Sequence, residues 1–158
     1  MSARALRGYT LIELVVVMAV IGILAGVAMP LAEVTVTRKK EEQLRRALWE
    51  IRDGLDAYKR AVEEGQIARV TISGYPPTLM SLTEGATAVV TRGPQRLFFL
   101  RRIPRDPFNP ESGTAAEATW GLRSYVSSAD QPRPGDDVFD VYSLSERAGL
   151  DGRRYHEW

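Results

Sequence analysis

Residues 7–32 read RGYTLIELVVVMAVIGILAGVAMPLA, and this stretch decides the architecture of the 158-residue chain. From residue 11 to residue 32, 18 of 22 residues are apolar, and no charge occurs from residue 14 to residue 32. A helix of 19 uncharged residues extends about 28 Å, close to the thickness of a bilayer core. A cleaved secretory signal has a shorter apolar core of about 7–15 residues. The stretch is therefore predicted to be a retained transmembrane helix.

Two residues in this stretch are unusual for a simple membrane anchor. Glu13 places a carboxylate inside the apolar block, where it costs about 2.5–3.5 kcal/mol near the helix centre and less near an end. From the residues alone, Glu13 either snorkels to the interface or pairs with a cation. Pro30 removes one helical hydrogen bond and is expected to kink or loosen the helix near Gly26.

Composition disfavours several classes of function. The chain has 21 Lys and Arg against 20 Asp and Glu, a formal net charge of +1, so it lacks the basic excess of a nucleic-acid-binding protein. It has no Cys, which excludes disulfides and thiolate chemistry, and one His, His156, near the C-terminus. These features disfavour a membrane-tethered enzyme or binding domain, and we expect no catalytic residues and no nucleic-acid partner.

After the apolar run, an amphipathic helix is predicted to continue to residue 64 and to end at Gly65. Its apolar stripe recurs at spacings of three and four residues and comprises Leu44, Leu48, Ile51, Leu55, Tyr58 and Val62. A short strand is predicted at 68–72, a helical turn at 78–82, and an antiparallel strand pair at 119–127 and 138–143. The expected fold class is α+β, with a long N-terminal helix packed through its second half against a small antiparallel sheet.

The string from Arg7 to Leu14, with the apolar run and Pro30 that follow, resembles the class III signal of type IV pilins and type II secretion pseudopilins. The resemblance implies that a prepilin peptidase cleaves between Gly8 and Tyr9 and methylates the Tyr9 amine, where the family usually has Phe. It divides the chain into a leader (1–8), a transmembrane and filament-core helix (9–34) and a periplasmic pilin-like globular domain (35–158).

The resemblance also implies roles in assembly for residues of the apolar helix. Glu13 would pair with the cationic Tyr9 amine, within one subunit or of a neighbouring subunit in a filament. The Thr10 hydroxyl would either add a partner there or face its own backbone. Gly22 and Gly26 form a small-xxx-small pattern that favours close helix packing, with local unwinding as the alternative. Pro30 stands at the position where the family has its proline and is the remaining residue for which the resemblance implies a role in assembly.

Residues 97–110, LFFLRRIPRDPFNP, resemble a stretch of the G-type major pseudopilins, with Phe108 where that group has Trp. The function implied is a structural subunit of a type II secretion pseudopilus, a helical homopolymer that drives export of folded proteins across the outer membrane. The alternative is a type IV pilin or minor pilin for adhesion, motility or DNA uptake. Implied partners are copies of itself, prepilin peptidase, other pseudopilins and the inner-membrane assembly platform. The implied location is the inner membrane, single-pass, with the N-terminus cytoplasmic and the C-terminal domain periplasmic, and the assembled filament lies in the periplasm.

Acidic residues near the C-terminus raise the question of calcium. G-type pseudopilins bind calcium in the loop after the last strand, and residues 140–144, DVYSL, match the first half of that pattern. Residues 145–148 do not match the second half of that pattern, which residues 149–152 could restore after an insertion of four residues. The resemblance therefore gives Asp140 and Asp151 as candidate calcium ligands. The alternative is a solvated acidic turn stabilised by arginines: Arg147, Arg153 and Arg154.

Overall fold

The computed structural model describes residues 10–89, 95–111 and 113–158, and the side chains of these residues except those of 27–30. Its longest element is helix α1, Leu11–Glu63, which continues through Pro30. The chain divides into two compact units between Lys39 and Lys40, so that α1 contributes to both. The predicted continuous helix over 10–64 is confirmed to within one residue at each end.

The second half of α1 buries the predicted stripe. Leu44 and Ile51 have no exposed surface, and the other stripe residues are at most 7% exposed. The helix ends where Gly65 adopts a left-handed φ of +70°, which a residue with a Cβ rarely adopts. The amide of Gln66 then donates to the carbonyl of Ala61 at 2.8 Å and closes the last turn.

The strand predicted at 68–72 is wrong. Ile67 forms only an isolated bridge with Ala88, and the residues that follow bend. The Thr71 hydroxyl donates to the Tyr75 carbonyl at 2.5 Å and accepts from the Gly74 amide at 3.2 Å, so a side chain takes up the bonds that a neighbouring strand would make. The strand was predicted from alternating apolar residues, of which the last is Ile72. The Ile72 side chain is exposed, and no described sheet buries it.

Two short elements follow this bend. Helix α2, Met80–Glu84, lies two residues later than the predicted turn and buries Leu82. Strands β1, Ala86–Thr87, and β2, Arg96–Leu97, form an antiparallel pair that the sequence did not predict. At two residues each, these strands are too short for a periodic pattern to be detected.

The predicted C-terminal strand pair is confirmed, with shorter strands. Strand β3, Trp120–Arg123, pairs antiparallel with β4, Asp140–Ser143, in a register that sets Trp120 opposite Ser143 and Arg123 opposite Asp140. A 3₁₀ helix, Ala116–Thr119, replaces the predicted first residue of β3. Beyond Arg123 the ladder stops because the Tyr125 amide donates to the Asp137 carboxylate at 2.8 Å.

One hydrophobic core joins these elements to α1. Trp120, Val141 and Tyr155 are at most 3% exposed and belong to the same cluster as the α1 stripe. The fold is thus α+β, a long helix with small antiparallel sheets, as predicted. Burial of the stripe and of the sheet's inner face is the main stabilising contribution to this unit.

Candidate functional site

The first turn of α1 is capped by a residue whose role the sequence left open. The Thr10 hydroxyl accepts a hydrogen bond from the Glu13 amide at 3.3 Å, and the Thr10 carbonyl accepts from the Leu14 amide at 3.2 Å. Thr10 is therefore the N-cap of α1. The spacing Thr-x-x-Glu is the sequence signature of such a cap, so this role could have been predicted. Gly8 and Tyr9 lie outside the described residues.

The first part of α1 presents an exposed apolar surface. Every side chain from residue 11 to residue 26 is exposed, including Ile12 at 70% and Ile23 at 71%. Glu13 is exposed among them and is the one charged residue between 11 and 32. By length and composition, α1 is long and apolar enough to cross a membrane. Large apolar patches on a protein surface indicate contact with lipid or with another protein.

Gly22 and Gly26 are not required by packing within the described part of the chain. A Cβ built at either position meets no atom within 4 Å among the residues that the structure describes. Pro30 lies inside α1, and its side chain is outside the description. The roles predicted for these three residues in assembly therefore stay predictions.

The proline-rich corner 103–110 is held by buried polar contacts. Asp106 is 2% exposed, and its carboxylate accepts from the Phe108 amide at 2.8 Å and from the Ser143 hydroxyl at 2.5 Å. The indole of Trp120 donates to the Pro104 carbonyl at 2.8 Å. The corner is thereby fixed to both β3 and β4.

A buried glutamate at the start of the second unit fixes the C-terminal segment 144–158. Glu41 is 7% exposed, and its Oε1 accepts from the Leu150 amide at 2.7 Å and from the Tyr155 hydroxyl at 3.1 Å. Burial, and then the hydrogen bond to Glu41, raise the pKa of Tyr155 to about 12. The role of Glu41 was not predicted from the sequence, although Glu41 stands three residues before Leu44, in register with the buried stripe.

The two candidate calcium ligands have arginine partners. Asp140 accepts from Arg52 Nε at 2.8 Å and from Arg123 Nη2 at 3.0 Å. Asp151 forms an ion pair with Arg153 at 3.0 Å, and the Arg153 amide that donates to this carboxylate holds the pKa of Asp151 below its usual value.

This donor set does not fit calcium, which takes roughly six to eight oxygen ligands. Within residues 10–89, 95–111 and 113–158, no three or more His, Asp or Glu side chains group closely enough to hold a metal. Of the arginines predicted to stabilise the turn, Arg153 does so. Arg147 lies over the Phe108 ring at 5.7 Å, and Arg154 pairs through its main chain with Ala148. Calcium binding has still to be measured, and the pairing of Asp140 and Asp151 with arginines disfavours it.

Comparison with known proteins supports the resemblance seen in the sequence. Residues 4–29 match the family described as the prokaryotic N-terminal methylation motif. Over 154 residues, the chain is 24% identical to the type II secretion system core protein G of Klebsiella michiganensis, covering 93% of this chain and 100% of that protein. No solved structure matches. The chain thus carries the prepilin-type motif at its N-terminus and is similar to a core protein G along most of its length, as the sequence predicted.

Proposed function

We propose that this chain is a structural subunit of a type II secretion pseudopilus, which polymerises through its N-terminal helix to drive export of folded proteins across the outer membrane. The observation that carries the proposal is the exposed apolar surface of α1 from residue 11 to residue 26, interrupted by one carboxylate, Glu13. Similarity to a secretion core protein G favours this role over the surface pilin that the sequence left open.

Processing is the first step of the proposal. Prepilin peptidase cleaves between Gly8 and Tyr9, removes the leader 1–8 and methylates the Tyr9 amine. An α-amine has a reference pKa of about 7.7–8.0. The new N-terminus is therefore largely cationic at neutral pH. It supplies the positively charged partner that the Glu13 carboxylate otherwise lacks in the apolar block.

Assembly follows from the cost of that lone carboxylate. An unpaired carboxylate in the membrane costs about 2.5–3.5 kcal/mol at the helix centre and less near an end. Pairing Glu13 with the Tyr9 amine of a neighbouring subunit removes this cost and fixes the axial register between subunits. The Cβ-free surfaces at Gly22 and Gly26 allow neighbouring helices to approach closely, and Pro30 adds local adaptability within the same helix.

The proposed location and partners follow from this mechanism. Before assembly, residues 9–34 span the inner membrane with the N-terminus in the cytoplasm, and residues 35–158 form the periplasmic domain. The partners are further copies of the chain, prepilin peptidase, other pseudopilins and the inner-membrane assembly platform. No catalytic role is proposed.

Mass spectrometry of the mature chain tests the processing step. The full chain is co-expressed with a prepilin peptidase, and a Gly8→Leu variant serves as the control that resists cleavage. We expect the wild-type N-terminus to be methylated Tyr9 and the variant to retain residues 1–8. Recovery of wild-type chain with residues 1–8 still attached would contradict the proposal.

A further inference from the structure

We propose that the guanidinium of Arg52, and not a divalent cation, ties β4 to the C-terminal segment 144–158, so that the folded unit 40–158 is independent of calcium. This inference does not rest on the function proposed above. It follows from the arrangement of donors around Asp140 and from the way α1 and the C-terminal segment meet there.

Arg52 makes hydrogen bonds to three acceptors in two parts of the chain. Its Nε donates to Asp140 Oδ1 at 2.8 Å, and its Nη2 donates to the Val141 carbonyl at 3.2 Å and to the Trp158 main-chain oxygen at 2.8 Å. Two of these acceptors lie on β4 and one lies at the end of segment 144–158. A planar guanidinium with several fixed donors is suited to bridging oxygens that diverge in this way.

The charge balance around Asp140 opposes a cation at this point. Arg123 donates to the second carboxylate oxygen, Oδ2, at 3.0 Å, and the Val141 amide donates to Oδ1 at 2.8 Å. Both oxygens of the Asp140 carboxylate therefore face guanidinium groups, and a divalent cation brought to them would have to displace one of these groups or meet its charge. The side chains of Arg52, Arg123 and Asp140 are 35%, 18% and 23% exposed, so this ion-pair cluster is shielded in part from water and salt.

The same segment is held elsewhere by donors of the protein itself. Glu41 accepts from the Leu150 amide and the Tyr155 hydroxyl, and Asp151 accepts from the amide and the side chain of Arg153. Oε1 of Glu41 and both carboxylate oxygens of Asp151 thus accept from N–H or O–H groups. Residues of α1 and the segment's own backbone therefore hold the segment in place, as a calcium ion would hold an acidic loop.

Thermal unfolding of the full chain in detergent micelles tests this inference. The three tryptophans, at 49, 120 and 158, all lie in unit 40–158, so their fluorescence reports the unfolding of that unit. Wild-type Tm is measured in EGTA, in millimolar calcium chloride and in magnesium chloride of equal ionic strength. We expect the three values to agree within about 1 °C, because no ion binds the folded state selectively.

Substitution of Arg52 tests the bridge itself. Arg52→Met is expected to lower Tm by roughly 5–10 °C, because it leaves Asp140 and two main-chain oxygens without this donor. Arg46→Met, which alters an exposed arginine on the same helix, is the matched control and is expected to stay within about 2 °C of wild type. Arg52→Lys, which keeps the charge without the fork, is expected to fall between wild type and Arg52→Met.

Three results would overturn the inference. One is a rise of several degrees in wild-type Tm with calcium but not with magnesium. Another is an Arg52→Met variant as stable as Arg46→Met, and the third is full recovery of stability in Arg52→Lys. If Arg52→Met does not fold, the comparison of wild type in calcium and in EGTA still decides between an arginine bridge and a calcium site.

Discussion

Replacing Glu41 by alanine is expected to loosen the C-terminal segment from α1. Glu41 lies at the start of the second unit, is 7% exposed and accepts hydrogen bonds from the Leu150 amide at 2.7 Å and the Tyr155 hydroxyl at 3.1 Å. Both bonds end on a carboxylate, which makes them stronger than bonds between neutral groups. In Glu41→Ala, the Tyr155 hydroxyl stays buried without this acceptor.

The expected cost follows from these contacts. A hydrogen bond to a charged group contributes about 1.5–3 kcal/mol, and a buried donor left without its partner costs about 1–3 kcal/mol. Because Leu150 is half exposed and water can reach its amide, we expect the total to lie at about 2–4 kcal/mol, dominated by Tyr155. For a unit of this size, that loss lowers Tm by roughly 6–15 °C.

Tryptophan fluorescence of the full chain in detergent micelles measures this loss against a matched control. Glu42→Ala removes the next residue's exposed carboxylate and is expected to change Tm by at most about 2 °C. Glu41→Gln, which keeps an oxygen acceptor without the charge, is expected to lie between the two. If Glu41→Ala and Glu42→Ala were equally stable, the anchoring role of Glu41 would be refuted.

Two further predictions concern the same unit. Because the pKa of Tyr155 rises from 10.0 to about 12, the folded chain keeps a proton that the unfolded chain releases, so stability falls as pH rises from 10 towards 12. The free energy of unfolding, measured by denaturant titration at each pH, should therefore fall less steeply with pH in Tyr155→Phe. An equally steep fall in the two proteins would contradict this prediction. At Gly121, an added Cβ would overlap ring atoms of Tyr142, so Gly121→Ala should cost about 1–3 kcal/mol. The double variant with Tyr142→Ala should show a smaller added cost for the alanine at 121, and strict additivity of the two changes would count against the clash.

Long, periodic patterns in the sequence predicted the main elements of the fold. The α1 stripe from Leu44 to Val62 repeats over several turns, so its burial and the helix end at Gly65 could be predicted closely. The pairing of β3 with β4 could be predicted because two runs rich in aromatic and β-branched residues flank a turn. The false strand at 68–72 arose because alternation of apolar residues cannot distinguish a strand from a bend in which Thr71 takes up the backbone bonds.

The polar contacts were less accessible from the sequence. Glu41, Arg52 and Asp106 act through partners 109, 88 and 37 residues away, respectively, at Leu150, Asp140 and Ser143. Local sequence patterns do not predict contacts between residues so far apart in the chain. The Thr10 cap, in contrast, depends on a spacing of three residues and was within reach. The N-terminal motif was recognised because its specificity lies in the local string itself.

Assembly of a Glu13 variant tests the central proposal most directly. In cells that supply prepilin peptidase and the secretion assembly machinery, the fraction of the chain recovered in filaments after the outer membrane is permeabilised is measured for wild type, Glu13→Ala and the control Glu33→Ala. Loss of about 1.5 kcal/mol of pairing free energy per contact is enough to weaken association about tenfold. We expect Glu13→Ala to lower the filament fraction at least about tenfold, with Glu33→Ala near wild type and the tryptophan-reported Tm of both variants unchanged. Filaments from Glu13→Ala at the wild-type level would contradict the proposal that this carboxylate drives assembly.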